Sequence, residues 1–595
     1  MDASLISESR PRTAAPPSPT TALDSVSIAI AGSGGSGVMS AGNWLLEAAA
    51  RSGLYGLMVK TMGPQIRGGE AAALVRLATS QLESLDDAFD VLLAIDWQNV
   101  HRFADEIPLR ASGLLVCDSE GGEIPEVFAR SGARVLSLPL KKMAKAIPGS
   151  WINMLALGIT GAMSGLQVEA LEAAVRKGWT RNEAALDANL SAVREGAAAA
   201  RDYAPQARPL AGQHGKRWLV SGNEGAGYGA IRGGIRFVAA YPITPATEVL
   251  EWMAPALVQA GGSLLQAEDE LASINMIIGS SFGGVPSFTA TAGPGLSLMT
   301  EGIGLAVAAE VPIVVMDVMR GGPSTGIPAK SEQSDLSFAV GGLHGDAPRL
   351  VLAPSSISDC IETTQWAVEL AEALQSPALV LSDQFMGQSR SIVDMPKLPA
   401  PNAKRLVAEA DSPNYKRYGD TPSGISPMAI PGTPGNTYTA DGLEHSETGV
   451  PSSQAADHRR QLDKRLRKLM QHEYGSRWAD IEGNGPLAVI AFGSAAGPVR
   501  EAARRAAAHG VEVRVIVLRL IAPLQPEAMA QALAGVERVI VVEQNHEGQL
   551  LRYLKGVARL PGDPAGFHRP GPLPLRPADI CAALLEWAAD RKETK

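Results

Sequence analysis

Between residues 235 and 330, apolar segments alternate with turns rich in proline and glycine, and this alternation constrains the fold most. Residues 235–240 predict a strand, which runs directly into the turn Tyr241-Pro-Ile-Thr-Pro-Ala-Thr247. Proline restricts φ and disfavours helix in the residue before it, so this turn is stiff. A strand followed by a stiff turn and a helix predicts an open α/β sheet, and such sheets bind ligands at the carboxyl ends of their strands.

Further segments of this region follow the same plan. Residues 263–270 predict a strand that ends in three acids, and residues 287–295 predict a strand that ends in Gly-Pro-Gly. Residues 311–318 are almost entirely apolar, as expected of a strand buried on both faces, and they continue into the Gly- and Pro-rich loop 319–330. Because parallel strands end at one edge of their sheet, these turns together predict a functional site.

The motifs in these turns resemble the pyrimidine-binding half of the 2-oxoacid:ferredoxin oxidoreductases. In the family's order they are Tyr-Pro-Ile-Thr-Pro at 241–245, the acids at 268–270, Thr-Ala-Gly-Pro-Gly at 291–295 and Arg-Gly-Gly-Pro-Ser-Thr-Gly at 320–326. Enzymes of this family cleave a 2-oxoacid on thiamine diphosphate, pass electrons through iron–sulfur clusters and release an acyl-CoA. The weaker resemblance at both ends of the chain implies an alpha subunit with a gamma domain fused in front, most similar to that of the 2-oxoglutarate enzyme.

The resemblance implies which residues meet the cofactor. A carboxylic acid hydrogen-bonded to N1′ of the thiamine pyrimidine favours the reactive tautomer, and the match to the family puts Glu270 in this role, with Glu268 as the alternative. Pro242, Gly293 and Gly295 belong to the same cofactor-binding motifs. The residues alone also permit a plainer interpretation, in which the acid stabilises the start of the following helix.

The resemblance also implies how the substrate is held. Thr244 hydrogen-bonds an oxygen of the 2-oxoacid, and Tyr241 lies beside it. Arg320 binds the carboxylate next to the reacting carbonyl, since a guanidinium can donate to both carboxylate oxygens. A substrate with two carboxylates needs a second cation, and Lys330 is the candidate. The plainer alternative for Arg320 is an ion pair at a seam between domains.

A second glycine-rich loop, residues 32–37, follows the predicted strand 25–31. Backbone N–H groups of such a loop can bind phosphate, so Gly34 and Gly35, together with Lys60 and Arg67, are candidates for contact with coenzyme A. A tight turn and a solvated loop are the alternatives. Binding of NAD by an NAD-dependent dehydrogenase has little support, because no acid stands out at the spacing that a dinucleotide-binding unit requires.

Part of the machinery of such an enzyme is missing from this sequence. It has no Gly-Asp-Gly segment followed by Asn-Asn, which holds the diphosphate through a metal in thiamine enzymes, and we expect no metal site here. Its three cysteines, Cys117, Cys360 and Cys581, are too scattered to bind a cluster. The resemblance therefore implies a beta subunit that carries thiamine diphosphate with Mg²⁺ and a [4Fe–4S] cluster, in an α₂β₂ assembly that uses coenzyme A and ferredoxin.

The sequence also permits other substrates and one function of another class. A pyruvate, branched-chain or indolepyruvate enzyme has the same motifs, and a non-catalytic α/β scaffold subunit would use the glycine loops structurally. The formal net charge of −9 gives no reason to expect nucleic acid or an anionic membrane as a partner. Singly spaced cysteines suit a reducing cytoplasm, and no apolar run reaches the length of a membrane span.

The chain as a whole predicts an α/β protein with three α/β domains and mostly parallel sheets. The divisions are a disordered tail at 1–24, a gamma-type domain at 25–200, a pyrimidine-binding domain at 213–400, a linker or arm at 401–483 and a transketolase C-terminal-like domain at 484–595. The arm is rich in Pro, Gly, Ser and Thr. Its basic helical run, residues 459–467, is expected to face solvent.

Overall fold

The computed structural model of the chain contains three β-sheets flanked by helices, which confirms the predicted α/β class. It describes residues 25–63, 69–180, 183–203, 212–213 and 215–593. The predicted disordered tail, residues 1–24, lies outside the described residues. No helix within these ranges is both long enough and apolar enough to span a membrane.

The amino-terminal region alternates strands and helices. Its strands are β1 (Ser25–Ser33), β2 (Tyr55–Met62), β3 (Glu70–Ala78), β4 (Phe89–Ala94), β5 (Leu109–Asp118) and β6 (Arg134–Leu138). Its helices are α1 (Val38–Arg51), α2 (Glu126–Ala129), α3 (Leu140–Ala146), α4 (Ile152–Met163), α5 (Val168–Gly178) and α6 (Glu183–Ala200).

The central region continues the alternation. Its strands are β7 (Arg217–Ser221), β8 (Phe237–Ala240), β9 (Ser263–Gln266), β10 (Ser287–Thr291), β11 (Val314–Met319), β12 (Leu350–Leu352), β13 (Ala378–Asp383) and β14 (Arg390–Asp394). Its helices are α7 (Gly222–Gly233), α8 (Thr247–Gln259), α9 (Glu270–Phe282), α10 (Gly293–Ala308), α11 (Leu336–Gly341), α12 (Asp359–Leu374) and α13 (Gln384–Gln388).

The carboxyl-terminal part begins with a helix of the arm. Its strands are β15 (Ala479–Glu482), β16 (Leu487–Phe492), β17 (Val513–Leu518), β18 (Leu520–Ala522), β19 (Arg538–Glu543) and β20 (Ala565–His568). Its helices are α14 (Ala455–Met470), α15 (Ala496–Ala508), α16 (Pro526–Ala532), α17 (Gln549–Val557) and α18 (Pro577–Glu593).

The three sheets differ in how parallel they are. The first sheet has the order β6-β5-β4-β1-β3-β2-β14-β7, and it is parallel from β6 to β1 and antiparallel beyond. The second, β18-β12-β13-β11-β10-β8-β9, is parallel except for β18, and the third, β15-β17-β16-β19-β20, is parallel except for β15. The second sheet carries the turns that the sequence singles out.

Some strands join a sheet other than the one that their place in the chain suggests. β7 and β14 flank the central region, yet both belong to the first sheet, where β14 pairs with β2. β18, from the carboxyl-terminal part, pairs with β12 at the edge of the second sheet. Each added strand supplies hydrogen-bond partners to an edge that would otherwise be open. The domain boundaries predicted from the sequence stay a proposal, and these strands tie the proposed domains together.

The arm packs against the central region of its own chain. The Arg405 guanidinium donates to the carboxylate of Glu372 and to the carbonyl oxygen of Ser281. The expectation that the basic run of α14 faces solvent is wrong for Lys464 and Arg465, which are 0% and 5% exposed. The Lys464 ammonium pairs with the buried acid Glu310, and the Arg465 guanidinium pairs with Glu444.

Candidate active site

Neighbouring parallel strands of the second sheet end at one edge, and the predicted motifs follow them. The strands lie in the order β11-β10-β8-β9, and each neighbouring pair is parallel. The turn after β8, the acids after β9, the Gly-Pro-Gly start of α10 after β10 and Arg320 after β11 therefore meet at this edge. We call it the substrate edge.

Arg320 and Thr244 are in contact at the substrate edge. Arg320 is only 6% exposed, and its Nη1 donates to the backbone carbonyl oxygen of Thr244 at 2.5 Å. Its Nε has no hydrogen-bond partner, and its Nη2 donates to no described residue. The guanidinium is thus positioned by the turn and keeps a donor for a ligand. Tyr241, at the start of the turn, is 41% exposed.

A buried amide from a neighbouring helix supports this turn. Asn223, on α7, is 0% exposed, and its Nδ2 donates to the carbonyl oxygen of Pro245 at 2.9 Å. The helix begins with a capping box in which the Ser221 hydroxyl accepts from Glu224 N and the Glu224 carboxylate accepts from Ser221 N. The sequence interpretation passed over Asn223. The sequence signal that could have identified Asn223 is an amide side chain among small residues at the start of a predicted helix.

The two candidate acids differ in exposure. β9 ends at Gln266, earlier than predicted, so residues 268–270 form a turn and the first residue of α9. The helix is capped by Asp269, whose carboxylate accepts from Ala272 N at 2.7 Å. Glu270 is 7% exposed, whereas Glu268 is exposed. Because Asp269 provides the cap, Glu270 is not needed for that purpose, and no described residue donates a hydrogen bond to its carboxylate.

Two glycines bring the start of α10 against acids. A Cβ on Gly295 would lie 2.1 Å from Thr291 Oγ1 and 2.7 Å from Glu270 Oε1. A Cβ on Gly293 would lie 2.8 Å from both carboxylate oxygens of Asp335. Any side chain at either position would displace an acid. The glycines therefore allow two carboxyl groups, Glu270 and Asp335, to approach the helix start.

The sequence interpretation did not predict a pair of acids beside Arg320. Asp317, on β11, is 0% exposed, and no N–H or hydroxyl group of the described residues donates to its carboxyl oxygens. The carboxyl group of Asp335 lies near enough for each acid to affect the pKa of the other. Burial, and then the Asp335 charge, raise the pKa of Asp317 well above its usual range. Burial is also the largest cause that raises the pKa of Asp335, to about 6. An acid inside the apolar run 311–318 was the sequence signal for this pair.

Lys330 is held by the amino-terminal region. Its Nζ donates to Thr61 Oγ1 at 2.5 Å and to the carboxylate of Glu106. Thr61 donates in turn to Glu106 at 2.7 Å, and the Lys330 side chain is 12% exposed. The loop 319–330 is therefore anchored at both ends, by Arg320 on Thr244 and by Lys330 on Glu106. The role of Lys330 in reading a distal carboxylate stays a prediction.

The matches to known families cover most of the chain. Residues 228–464 match the family described as "Pyruvate flavodoxin/ferredoxin oxidoreductase, thiamine diP-bdg", residues 27–199 match "Pyruvate ferredoxin/flavodoxin oxidoreductase", and residues 480–548 match "Transketolase, C-terminal domain". Over 89% of its length, the chain is 31% identical to the 2-oxoacid:ferredoxin oxidoreductase 2 subunit alpha of Aeropyrum pernix, 92% of which is covered. The chain belongs to the 2-oxoacid:ferredoxin oxidoreductases.

Two further relatives extend this comparison. This 2-oxoacid:ferredoxin oxidoreductase alpha subunit is 30% identical to the 2-oxoglutarate oxidoreductase subunit KorA of Mycobacterium tuberculosis, over 90% of this chain and 87% of that protein. Its structure matches the 2-oxoglutarate:ferredoxin oxidoreductase of Magnetococcus marinus, solved with 2-oxoglutarate, coenzyme A and succinyl-CoA bound. The TM-score is 0.86 at 36% identity, over 95% of this chain and 99% of that chain. The family resemblance drawn from the motifs is confirmed.

The substrate edge of this alpha subunit fits the pyrimidine half of thiamine diphosphate. The Glu270 carboxylate is nearly buried and accepts no hydrogen bond from a described residue, as an acid reserved for a pyrimidine nitrogen requires. Gly295 lets this acid lie directly against the start of α10. Within the described ranges, no group of three or more His, Cys, Asp or Glu side chains is arranged to hold a metal ion.

The candidate coenzyme A residues lie in different places. Gly34 and Gly35 line a cleft of about 740 Å³ between the glycine-rich loop and the segment 150–153. Lys60 does not line this cleft, and its Nζ lies 3.3 Å from Glu248 Oε1, at the start of α8. Arg67 lies outside the described residues. The structure thus separates Lys60 from the two glycines, and coenzyme A binding in the cleft stays a prediction.

Proposed function

We propose that this alpha subunit, joined to a beta subunit, catalyses the CoA-acylating oxidative decarboxylation of 2-oxoglutarate to succinyl-CoA, or the reverse carboxylation, with ferredoxin as electron partner. The observation that carries the proposal is the meeting of Glu270 with the Arg320–Thr244 contact at one sheet edge. A buried unpaired acid and a buried, partly unpaired guanidinium suit a cofactor nitrogen and a substrate carboxylate. The named substrate rests on the relatives that are 2-oxoglutarate enzymes.

Each residue of the edge has a proposed task. Thiamine diphosphate, when bound, supplies the nucleophilic carbon and accepts the electron pair that loss of CO₂ leaves. Glu270 shares a proton with pyrimidine N1′ and thereby favours the reactive tautomer. Arg320 binds the substrate carboxylate through Nη2, and Thr244 orients the 2-oxoacid with its hydroxyl. Pro242, Gly293 and Gly295 shape the wall on which the pyrimidine lies.

We also propose the assembly that this chemistry requires. A separate beta subunit carries the diphosphate, Mg²⁺ and a [4Fe–4S] cluster, and the complex is an α₂β₂ heterotetramer in the cytoplasm. The cluster, when present on the beta subunit, would supply electron transfer to ferredoxin, and coenzyme A would supply the thiol that accepts the acyl group.

The test is a substrate panel on the complex copurified through a tag on this chain. Ferredoxin reduction is measured with coenzyme A and with 2-oxoglutarate, pyruvate, 2-oxobutyrate or indolepyruvate. We expect the highest kcat/KM with 2-oxoglutarate. Pyruvate, which the names of two matched families favour, is the rival substrate. A complex that contains thiamine diphosphate and iron but turns over no 2-oxoacid would show a non-catalytic scaffold.

A further inference from the structure

The end of β2 lies between two segments that form the substrate edge. We call residues 241–248, the turn and the first residues of α8, the turn wall, and residues 319–330 the loop wall. Lys60 and Thr61 are neighbours near the end of β2. Because neighbouring residues of a strand project to opposite faces, one strand end can contact both walls, and these two side chains do so.

The Lys60 side chain contacts the turn wall. Glu248 is the second residue of α8, and its Oε1 accepts from Lys60 Nζ at 3.3 Å and from Gln388 Nε2 at 3.3 Å. Gln388, on α13, is 5% exposed, and its Oε1 accepts from Gln384 Nε2 at 3.0 Å. A carboxylate is also stabilised at the N-terminus of a helix. Glu248 therefore ties the turn wall to β2 and to α13.

The Thr61 side chain contacts the loop wall. Its hydroxyl donates to Glu106 Oε2 at 2.7 Å and accepts from Lys330 Nζ at 2.5 Å. Thr61 is 2% exposed, so this contact is shielded from water. At the other end of the loop, Arg320 donates to the carbonyl oxygen of Thr244. The loop wall is thus held by β2 at one end and by the turn wall at the other.

The strand that makes these contacts is fixed on both sides. β2 pairs with β3 along its whole length and with β14 on its other side. A single residue separates β14 from α13, which carries Gln388. Lys60 and Gln388 therefore belong to one hydrogen-bonded unit, and Glu248 accepts from two donors of that unit.

We propose that the end of β2 clamps the two walls together, with Lys60 and Thr61 as positioning residues, so that the amino-terminal region sets the affinity of the substrate edge for a 2-oxoacid. The proposal rests on the proposed function, in which Thr244 of one wall and Arg320 of the other bind the substrate. The separation of the walls fixes the distance between these two groups. Loosening either side of the clamp therefore weakens binding of the carboxylate and the oxo group, which all 2-oxoacids share.

The two sides of the clamp differ in strength. The Lys60 and Glu248 side chains are 21% and 33% exposed, and ion pairs of this kind contribute little, so loss of the ammonium should raise KM by about twofold to fivefold. Thr61 is buried, so loss of its hydroxyl should raise KM by about threefold to tenfold. Neither side chain is hydrogen-bonded to Glu270, the proposed cofactor acid, and kcat should therefore change much less than KM.

The experiment measures kcat, the KM for each 2-oxoacid and the KM for coenzyme A on the copurified complex. The variants are Lys60→Met, Lys60→Arg and Thr61→Val. We expect Lys60→Met and Thr61→Val each to raise KM by one common factor for every 2-oxoacid that turns over, and to leave the KM for coenzyme A unchanged. Lys60→Arg keeps the charge and should stay close to wild type. Lys177→Met is the matched control, because the Lys177 ammonium pairs with Glu47 inside the amino-terminal region, at 2.9 Å.

A double variant tests whether Lys60 acts through Glu248. Glu248→Gln should raise the KM for the 2-oxoacid as Lys60→Met does, and the double variant should raise it no further than either single variant, because both remove the same contact. A double variant whose effect is the product of the two single effects would show that the residues act independently, and this result overturns the clamp.

Other results also overturn the proposal. If Lys60→Met raises the KM for coenzyme A alone, Lys60 contacts coenzyme A and not the turn wall. If both KM values stay unchanged while the thermal midpoint falls, the contacts have a structural role only. Lys60 is partly exposed, so Lys60→Met provides the test even if Thr61→Val does not assemble.

Hydrogen exchange separates a failure of the clamp from a failure of the proposed function. If the complex turns over no 2-oxoacid in the substrate panel, the proposed function is wrong, and the clamp is tested by the exchange of backbone amides in the same complex. Amides of the turn wall should exchange faster in Lys60→Met than in the wild type and in Lys177→Met. Equal rates in the three proteins overturn the clamp.

Discussion

Two buried charge clusters, one between the arm and the central region and one at the substrate edge, are built in opposite ways. The anchor cluster consists of Glu310, Arg417, Lys464 and Lys468. Glu310 is 1% exposed, and its carboxylate accepts from the Lys464 ammonium at 2.5 Å and from the Lys468 ammonium at 2.9 Å. Arg417 donates to the Glu310 carbonyl oxygen at 2.8 Å.

The edge cluster consists of Asp317, Arg320 and Asp335, and it leaves charged groups without partners. Among the described residues, the carboxyl oxygens of Asp317 and the Nε of Arg320 have no hydrogen-bond partner. In the anchor cluster, the nearby cations outweigh burial and hold the pKa of Glu310 far below its usual range. In the edge cluster, burial raises the pKa of both acids.

This difference separates a structural anchor from a functional site. A buried acid that is fully paired stabilises the fold only while its partners remain, because a lone buried charge is costly. Buried groups that are left unpaired cost stability, and a protein retains them where a ligand or a proton completes them. We therefore expect substitutions in the anchor cluster to reduce stability and substitutions at the substrate edge to reduce activity.

The largest effect should come from the cofactor acid of the substrate edge. Glu270→Gln keeps the shape that packs on Gly295 but cannot share a proton with the pyrimidine, so kcat/KM should fall by about 10²- to 10⁴-fold. The thermal midpoint and the assembly with the beta subunit should stay unchanged. The exposed Glu268 provides the matched control, and Glu268→Gln should behave as wild type. If Glu268→Gln is the inactive variant, the two acids are assigned in the wrong order.

Substitutions in the anchor cluster should reduce stability and leave the activity of the folded protein unchanged. Glu310→Gln leaves two buried ammonium groups without a counter-charge, which should lower the free energy of unfolding by about 3–5 kcal/mol. Urea unfolding of the complex measures this loss, and the activity of the folded fraction should persist. Glu301→Gln, at an exposed position of helix α10, which ends shortly before Glu310, should change stability little.

The same cluster predicts a dependence of stability on pH. The pKa of Glu310 is lower in the folded protein than in the unfolded chain, so its contribution is fully present above the unfolded value of about 4.3. It is lost as the pH falls toward the lowered value, because the unfolded chain then binds more protons. The stability difference between wild type and Glu310→Gln should therefore shrink below about pH 4. A constant difference down to pH 3 would contradict this account.

The smallest effect should come from Lys330. This residue joins the loop of the substrate edge to a buried acid, so its substitution tests whether it acts as an anchor or binds substrate. Because Glu106 and Thr61 hold its ammonium, we expect Lys330→Met to reduce kcat/KM equally for 2-oxoglutarate and for 2-oxobutyrate, which lacks the distal carboxylate. Glu106→Gln, which removes the partner, should have a similar effect on both substrates. A loss of about tenfold to a hundredfold on 2-oxoglutarate alone would support the role predicted from the sequence.

The turns that meet at the substrate edge could be located from the sequence because their signals are local. The stiff turn at 241–247, the Gly-Pro-Gly turn and the end of the apolar strand before Arg320 each lie within a few residues, and all reach the same edge. Glu270 was preferred to Glu268 through the match to the family, because the difference in burial between neighbouring residues of a turn appears only once the helix start is placed. Asp335 escaped prediction because its partner, Asp317, lies across a folded loop.

The sequence by itself determined the class of fold, the order of the motifs and the family, since strand periodicity, turn chemistry and motif order are properties of short segments. Only the tertiary structure decided which charge meets which: Lys330 with Glu106, Lys464 with Glu310, and Asp317 with Asp335. The free energy of a buried charge depends on the groups around it, and distant segments supply those groups. For that reason, α14 looked like a solvated basic helix in the sequence, and it became an anchor in the fold.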